Sequence, residues 1–160
     1  MLDDMSNLQS LLKDPSLLAT QGYLAGEWVD GEGGATFPVR NPARGDVVAN
    51  VADFTRAQTA DAIAKAEIAQ KSWAARTGKE RANILRRWYD LMMENADDLA
   101  TILTAEQGKP LAESKGEIGY GASFIEFFAE EAKRIYGETI PGHQPDKRIT
   151  VIKQPIGVAA

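Results

Sequence analysis

The residues able to do acid–base chemistry are carboxylates, and they come in pairs. Glu113 with Glu117, and Glu126 with Glu130, each stand four residues apart. On a helix that spacing sets two carboxylates on one face, where each raises the proton affinity of the other. A carboxyl raised in this way is one means of running acid–base chemistry near neutral pH. Lys115, Lys133 and Arg134 lie alongside, however. That is the pattern of a solvated, ion-paired face, and Glu130 before Arg134 is the favourable order for a helix ion pair. The single histidine, His143, falls in a polar loop with no relay or metal-ligating partner beside it. Arg81, Arg86 and Arg87 form a candidate anion site, but Glu80, Asp90 and Glu94 are spaced to neutralise them. Gly31-Glu32-Gly33-Gly34 resembles a phosphate loop only superficially, with no GxGxxG, no GxxxxGK[ST] and no helix directly behind it. The sequence has no cysteine, which removes disulfides, thiolate metal sites and a thiol nucleophile from these residues. No catalytic, cofactor-binding or metal-ligating residue is assigned.

The most informative stretch runs from Glu106 to Gly142. Gly108 suits the left-handed end of one helix, and Pro110 the first turn of the next. The next helix is expected to run to about Tyr136 and stop at Gly137. It carries two apolar stripes. Ile118, Ala122, Ile125, Ala129 and Ala132 share one face; Gly116, Tyr120, Phe124 and Phe127 share another. A helix apolar on two sides is buried between layers or lines a cavity, and core packing is the plainer reading.

The elements around it read in order. Residues 1–22 are an N-terminal arm in which Leu8, Leu11 and Leu12 make a short amphipathic patch, broken by Pro15. It reads as a loosely packed helix rather than a docking arm. Tyr23 to Val29 is a strand pattern with a glycine inside, followed by a turn at Asp30-Gly31; Phe37 to Arg40 and Val47 to Val51 are further strands. A helix follows from Ala52 to Arg76, with a capping box at Thr55 and Gln58 and an alanine face of Ala62, Ala66, Ala69 and Trp73. Thr77 with Glu80 caps a second helix, which carries the stripe Ala82, Leu85, Tyr89 and Met92 beside Ile84, Trp88 and Leu91. Asn95 with Asp98 caps a third, carrying Leu99, Ile102 and Leu103. Glu138–Ile140 and Arg148–Lys153 form a hairpin, and Pro155 to Ala160 is a buried-strand signature.

Composition limits the function. The chain has 160 residues, 44% apolar and 26% charged, as expected of a globular fold. The net charge of −5 gives no electrostatic case for nucleic acid or an anionic membrane. No apolar run is long enough to span a bilayer, and the N-terminus lacks the form of a signal peptide. A reducing, cytoplasmic setting is compatible with the absence of cysteine.

EQGKPLAESKGEI, then FFAEEAKRIYGETIPG, then DKRITVIKQPIGVAA resemble the N-terminal part of the aldehyde dehydrogenases, most nearly the bacterial succinate-semialdehyde dehydrogenases. The likeness reaches back to about Leu24 and covers about the first third of a family member. It implies an α/β fold: a helical layer with short strands over residues 23–136, an oligomerisation hairpin over 137–155, and the start of the first strand of a Rossmann-like sheet at 156–160. It implies oxidation of a semialdehyde to a carboxylate with NAD or NADP, through a cysteine thiohemiacetal and thioester. The reacting residues lie beyond this stretch, so the chain alone is expected to be inactive. It further implies a homo-oligomer, dimer or tetramer. Glu106 falls in the family's EQGKP turn, which is not the catalytic base. Gly116 and Tyr120 match positions on the wall of the substrate tunnel, with Phe124 beside them. The alternatives are a related aldehyde dehydrogenase of different semialdehyde specificity and a non-catalytic, self-associating α+β module.

Overall fold

The structure is a computed structural model that describes residues 8–159. What the sequence suggests for residues 1–7 and Ala160 lies outside the described residues.

The helices begin and end largely where local chemistry demands. Thr55 and Gln58 exchange hydrogen bonds at the start of α1 (Arg56–Ala75), and Thr77 and Glu80 do so for α2 (Gly78–Glu94). In each, side-chain oxygens accept from amides that have no partner inside the helix. α3 (Ala96–Gln107) ends on Gly108, whose φ of 78° is left-handed. α4 (Leu111–Glu131) starts directly after Pro110.

Three expectations about these helices are corrected. α4 stops at Glu131, short of Tyr136. The amides of Lys133 and Arg134 close tight turns onto the carbonyls of Glu130 and Glu131, and Arg134 grips the Glu131 side chain rather than Glu130. Asn95 does not cap α3, because its side chain donates back to the Leu91 carbonyl. The Asp98 side chain bonds outside its own helix. It is only 5% exposed and accepts from the backbone N–H groups of Lys13, at 3.0 Å, and Asp14, at 2.8 Å. Residues 8–14 are accordingly anchored rather than loose: Leu8 is buried in a 3-10 turn (Leu8–Leu11) and Leu12 is buried directly after it. The alanine face of α1 is the third correction. Ala62 and Trp73 are half-buried, but Ala66 and Ala69 face outward and α1 buries no residue fully.

The strands form three separate antiparallel pairs. Tyr23–Val29 is not one strand but a hairpin, β1 (Gly22–Leu24) against β2 (Glu27–Val29). Ala25 and Gly26 make its two-residue turn at φ of 50° and 96°. Two left-handed residues in succession match the twist of the flanking strands, which a single long strand here cannot do. Tyr23 and Trp28 pair across it edge to face, 5.1 Å apart. β3 (Thr36–Arg40) pairs with β4 (Val47–Ala52) through the turn at Asn41, whose side chain accepts from the Ala43 and Arg44 amides. β5 (Glu138–Pro141) and β6 (Arg148–Val151) form the expected hairpin, exposed at every residue. Residues 156–159 form no strand: Ile156 is 99% exposed. A buried-strand sequence needs neighbours on both edges, and no other described strand pairs with it.

The core lies where α4 crosses α2 and α3. It is made of small side chains: Ala82 of α2, Ala100 and Ala105 of α3, and Ser114, Ala122 and Ala129 of α4. The architecture is the expected α/β, a helical layer with short strand pairs.

Two outcomes test this account. Asp98→Ala leaves the Lys13 and Asp14 amides unpaired, which is expected to cost roughly 1–3 kcal/mol. Chemical denaturation should show that loss, and limited proteolysis should shift to the segment before Pro15. Ala25→Asn places a residue tolerant of the left-handed region at φ 50°. It is expected to stabilise the hairpin by about 1 kcal/mol and raise the thermal midpoint.

Candidate functional site

The first stripe, Ile118, Ala122, Ile125, Ala129 and Ala132, turns toward α2 and α3 and is buried or half-buried, with Ala132 just past the end of α4 and Ser114 one turn before Ile118. Ser114 is completely buried, and its hydroxyl is satisfied by Thr104 of α3 at 2.9 Å. That orientation leaves the second stripe facing outward. Tyr120 is 64% exposed, and Phe124, Phe127 and Phe128 are also exposed. Tyr120 and Phe124 meet edge to face with ring centroids 4.9 Å apart, and Phe127 and Phe128 do so at 5.3 Å. A methyl group added at Gly116 would meet no atom of the described residues within 4 Å. Gly116 and Tyr120 therefore lie one turn apart on an open aromatic surface, bordered by a groove of about 570 Å³ along Ser123, Phe124, Phe127 and Phe128. Such a surface can pack against the apolar body of a ligand while the phenol offers a hydrogen bond.

The other candidates disperse. Glu117 is taken by Lys109, and Glu126 by Arg86 at 2.7 Å, so each carboxylate pair has one member committed to a cation. Arg86 also reaches Asp90, and Arg87 reaches Glu94. Arg81 donates instead to backbone carbonyls at the end of α1, because Glu80 is engaged by Thr77. His143 sits exposed in the β5–β6 loop, and no group of ligating side chains able to hold a metal occurs among the described residues. Gly31–Gly34 closes on itself. The Gly34 amide bonds the Gly31 carbonyl, and the Glu32 amide is occupied by Gln58. These residues form no phosphate cradle for a nucleotide, and residues 156–159 run unpaired. No helix among the described residues is long and apolar enough to cross a membrane.

One charge cluster was not visible in the sequence. Asp97 pairs with Lys115 of α4 at 2.7 Å and with Lys13 of the N-terminal segment at 3.4 Å. The hydrogen bond and charge of Lys115, then those of Lys13, hold its carboxyl below the ordinary value of 3.8. The three residues are far apart in sequence, and no local pattern connects them.

The model of the aldehyde dehydrogenase family matches residues 28–160. The chain belongs to the aldehyde dehydrogenase family. It is 62% identical over 149 residues to glutarate-semialdehyde dehydrogenase of Pseudomonas aeruginosa, covering 93% of this chain and 31% of that protein. It is 58% identical over the same length to the NADP(+) succinate-semialdehyde dehydrogenase GabD of Escherichia coli, again 93% of this chain and 31% of that one. The crystal structure of succinate-semialdehyde dehydrogenase from Burkholderia pseudomallei superposes with a TM-score of 0.88 at 56% identity, over 91% of this chain and 30% of that one. This aldehyde dehydrogenase chain thus spans about a third of the length of the relatives it matches, and its fold is the N-terminal part of theirs.

A pH series tests the charge cluster. Because the Asp97 carboxyl is held below 3.8 in the folded state, it contributes stability in full above that value. That contribution is lost as pH falls through the lower, folded-state value. The thermal midpoint of the native chain should drop more steeply on acidification below about pH 4 than that of Asp97→Asn, and the two should run parallel near neutrality.

Proposed function

We propose that this chain is the N-terminal portion of an NAD(P)-dependent dehydrogenase that oxidises a small semialdehyde bearing a terminal carboxylate, such as succinate or glutarate semialdehyde. The observation that carries the reading is the outward aromatic stripe of α4. A helix that has already satisfied its core face presents Gly116, Tyr120 and Phe124 to space that its own fold leaves open. In this reading Gly116 and Tyr120 form part of the wall along which the aldehyde passes. The glycine gives width, and the phenol gives a donor for a polar substrate. Names of relatives at 62% and 58% identity support the substrate class.

The cysteine nucleophile, the general base and the nucleotide site are assigned to sequence outside these residues. A nicotinamide bound there would supply the hydride acceptor. This chain's part is to shape the aldehyde's path and exclude water from it. The β5–β6 hairpin, exposed throughout and with unpaired edges, is the assigned contact for a homodimer or homotetramer. The cytoplasm is the assigned compartment. Taken alone, the chain behaves as a self-associating α+β module without activity. Exposed Trp88, Phe124, Phe127 and Phe128 favour that second reading for the isolated segment.

The test uses the full-length protein carrying this chain. The unaltered protein should form NAD(P)H with succinate or glutarate semialdehyde; no turnover with either ends the semialdehyde assignment. Gly116→Val should narrow the path and lower kcat/KM for the aldehyde by about tenfold or more, and Tyr120→Phe by several-fold. The KM for NAD(P)+ should hold in both. Unchanged kcat/KM in both variants would remove α4 from the wall.

A further inference from the structure

The ends of α1, α2 and α4 and the segment after β6 enclose a cleft of about 1000 Å³ on a different part of the molecule from the aromatic stripe. Arg76, Lys79, Arg81, Lys133 and Lys153 line it, and no aspartate or glutamate does. This runs against the chain as a whole, which carries a net charge of −5. Among the described residues, nine of the 18 lysines and arginines hold an ion pair: Lys13, Arg44, Lys65, Arg86, Arg87, Lys109, Lys115, Arg134 and Lys147. Five of the other nine are the five that line this cleft. Glu80 lies close enough to interact with Arg76, but its carboxylate is committed to the Thr77 amide and hydroxyl. Arg81 is oriented by its bonds to the carbonyls of Ala74 and Arg76, which fixes a guanidinium at the rim.

We propose that this cleft binds a multiply charged phosphate anion. Cations gathered in one concavity without counter-charges repel one another, and a phosphate chain relieves that repulsion while accepting hydrogen bonds from several of them. The first amides of α2 open beside it and add a favourable partial charge. A singly charged carboxylate substrate would leave most of this charge unmet, so a di- or polyphosphate is the class that fits. The proposal does not depend on the dehydrogenase reading.

The experiment is titration calorimetry of the full-length protein with pyrophosphate. It is run at fixed ionic strength in chloride, with saturating NADP+ present to occupy any cofactor site. The expected result is one saturable site. Lys79→Gln combined with Lys133→Gln should weaken it at least tenfold, while Arg56→Gln combined with Lys71→Gln, unpaired cations outside the cleft, should not. ATP competing for the same site more tightly than pyrophosphate would identify a nucleotide as the source, and equal affinity a free polyphosphate; either supports the site. Absence of saturable binding, or equal weakening by the two double variants, would show an adventitious ion only and overturn it. Circular dichroism of each double variant confirms that the fold is retained.

Discussion

The close approach of α4 to α2 and α3 is the constraint on which the rest depends. It is possible because the fully buried positions where they meet are alanine and serine, with Ile118 and Ile125 only half-buried, so the backbones can come near without displacing large side chains. It demands that the one hydroxyl trapped there be satisfied, which Thr104 does for Ser114. Once that face is fixed, the 3.6-residue repeat leaves Tyr120, Phe124 and Phe127 no inward position. The aromatic surface is therefore a consequence of a core built from small residues. Gly78 belongs to the same constraint: a side chain there would meet the Ala132 carbonyl at the end of α4.

Charge completes what packing begins. Asp97 and Asp98 are neighbours on α3 with opposite tasks. Asp98 is buried and bonds backbone amides of the N-terminal segment, whereas Asp97 is exposed and bridges that segment to α4 through Lys13 and Lys115. The exposed pairs contribute little individually because water screens them. The buried carboxylate matters more, since its loss leaves two part-buried amides without their acceptor.

Membership of the aldehyde dehydrogenase family gives these surfaces a context. The chain spans about a third of its relatives' length. Its exposed apolar stripes on α2 and α4, its hairpin with unpaired edges and its unpaired residues 156–159 are all surfaces that a larger assembly would cover. The basic cleft, which Gly157 of that last segment also lines, is distinguished by unpaired charge.

What the sequence determined by itself was local. Capping boxes at Thr55 and Thr77, the left-handed Gly108 and the β5–β6 hairpin form as expected, whereas of the two stripes of α4 only the first packs inward and the second is exposed rather than core. The family too was legible, in EQGKP and the segment through QPIGV. Where local signals competed, tertiary structure decided. Ala25-Gly26 turned a strand pattern into a hairpin because twist favoured two left-handed residues. Asp98 abandoned a cap for amides 84 and 85 residues away. Glu126 left its helical neighbour for Arg86 on another helix. Which α4 stripe is core and which is surface was likewise undecidable from periodicity, since both are apolar. The small residues chose it, because only they allow three helices to meet closely enough to exclude water.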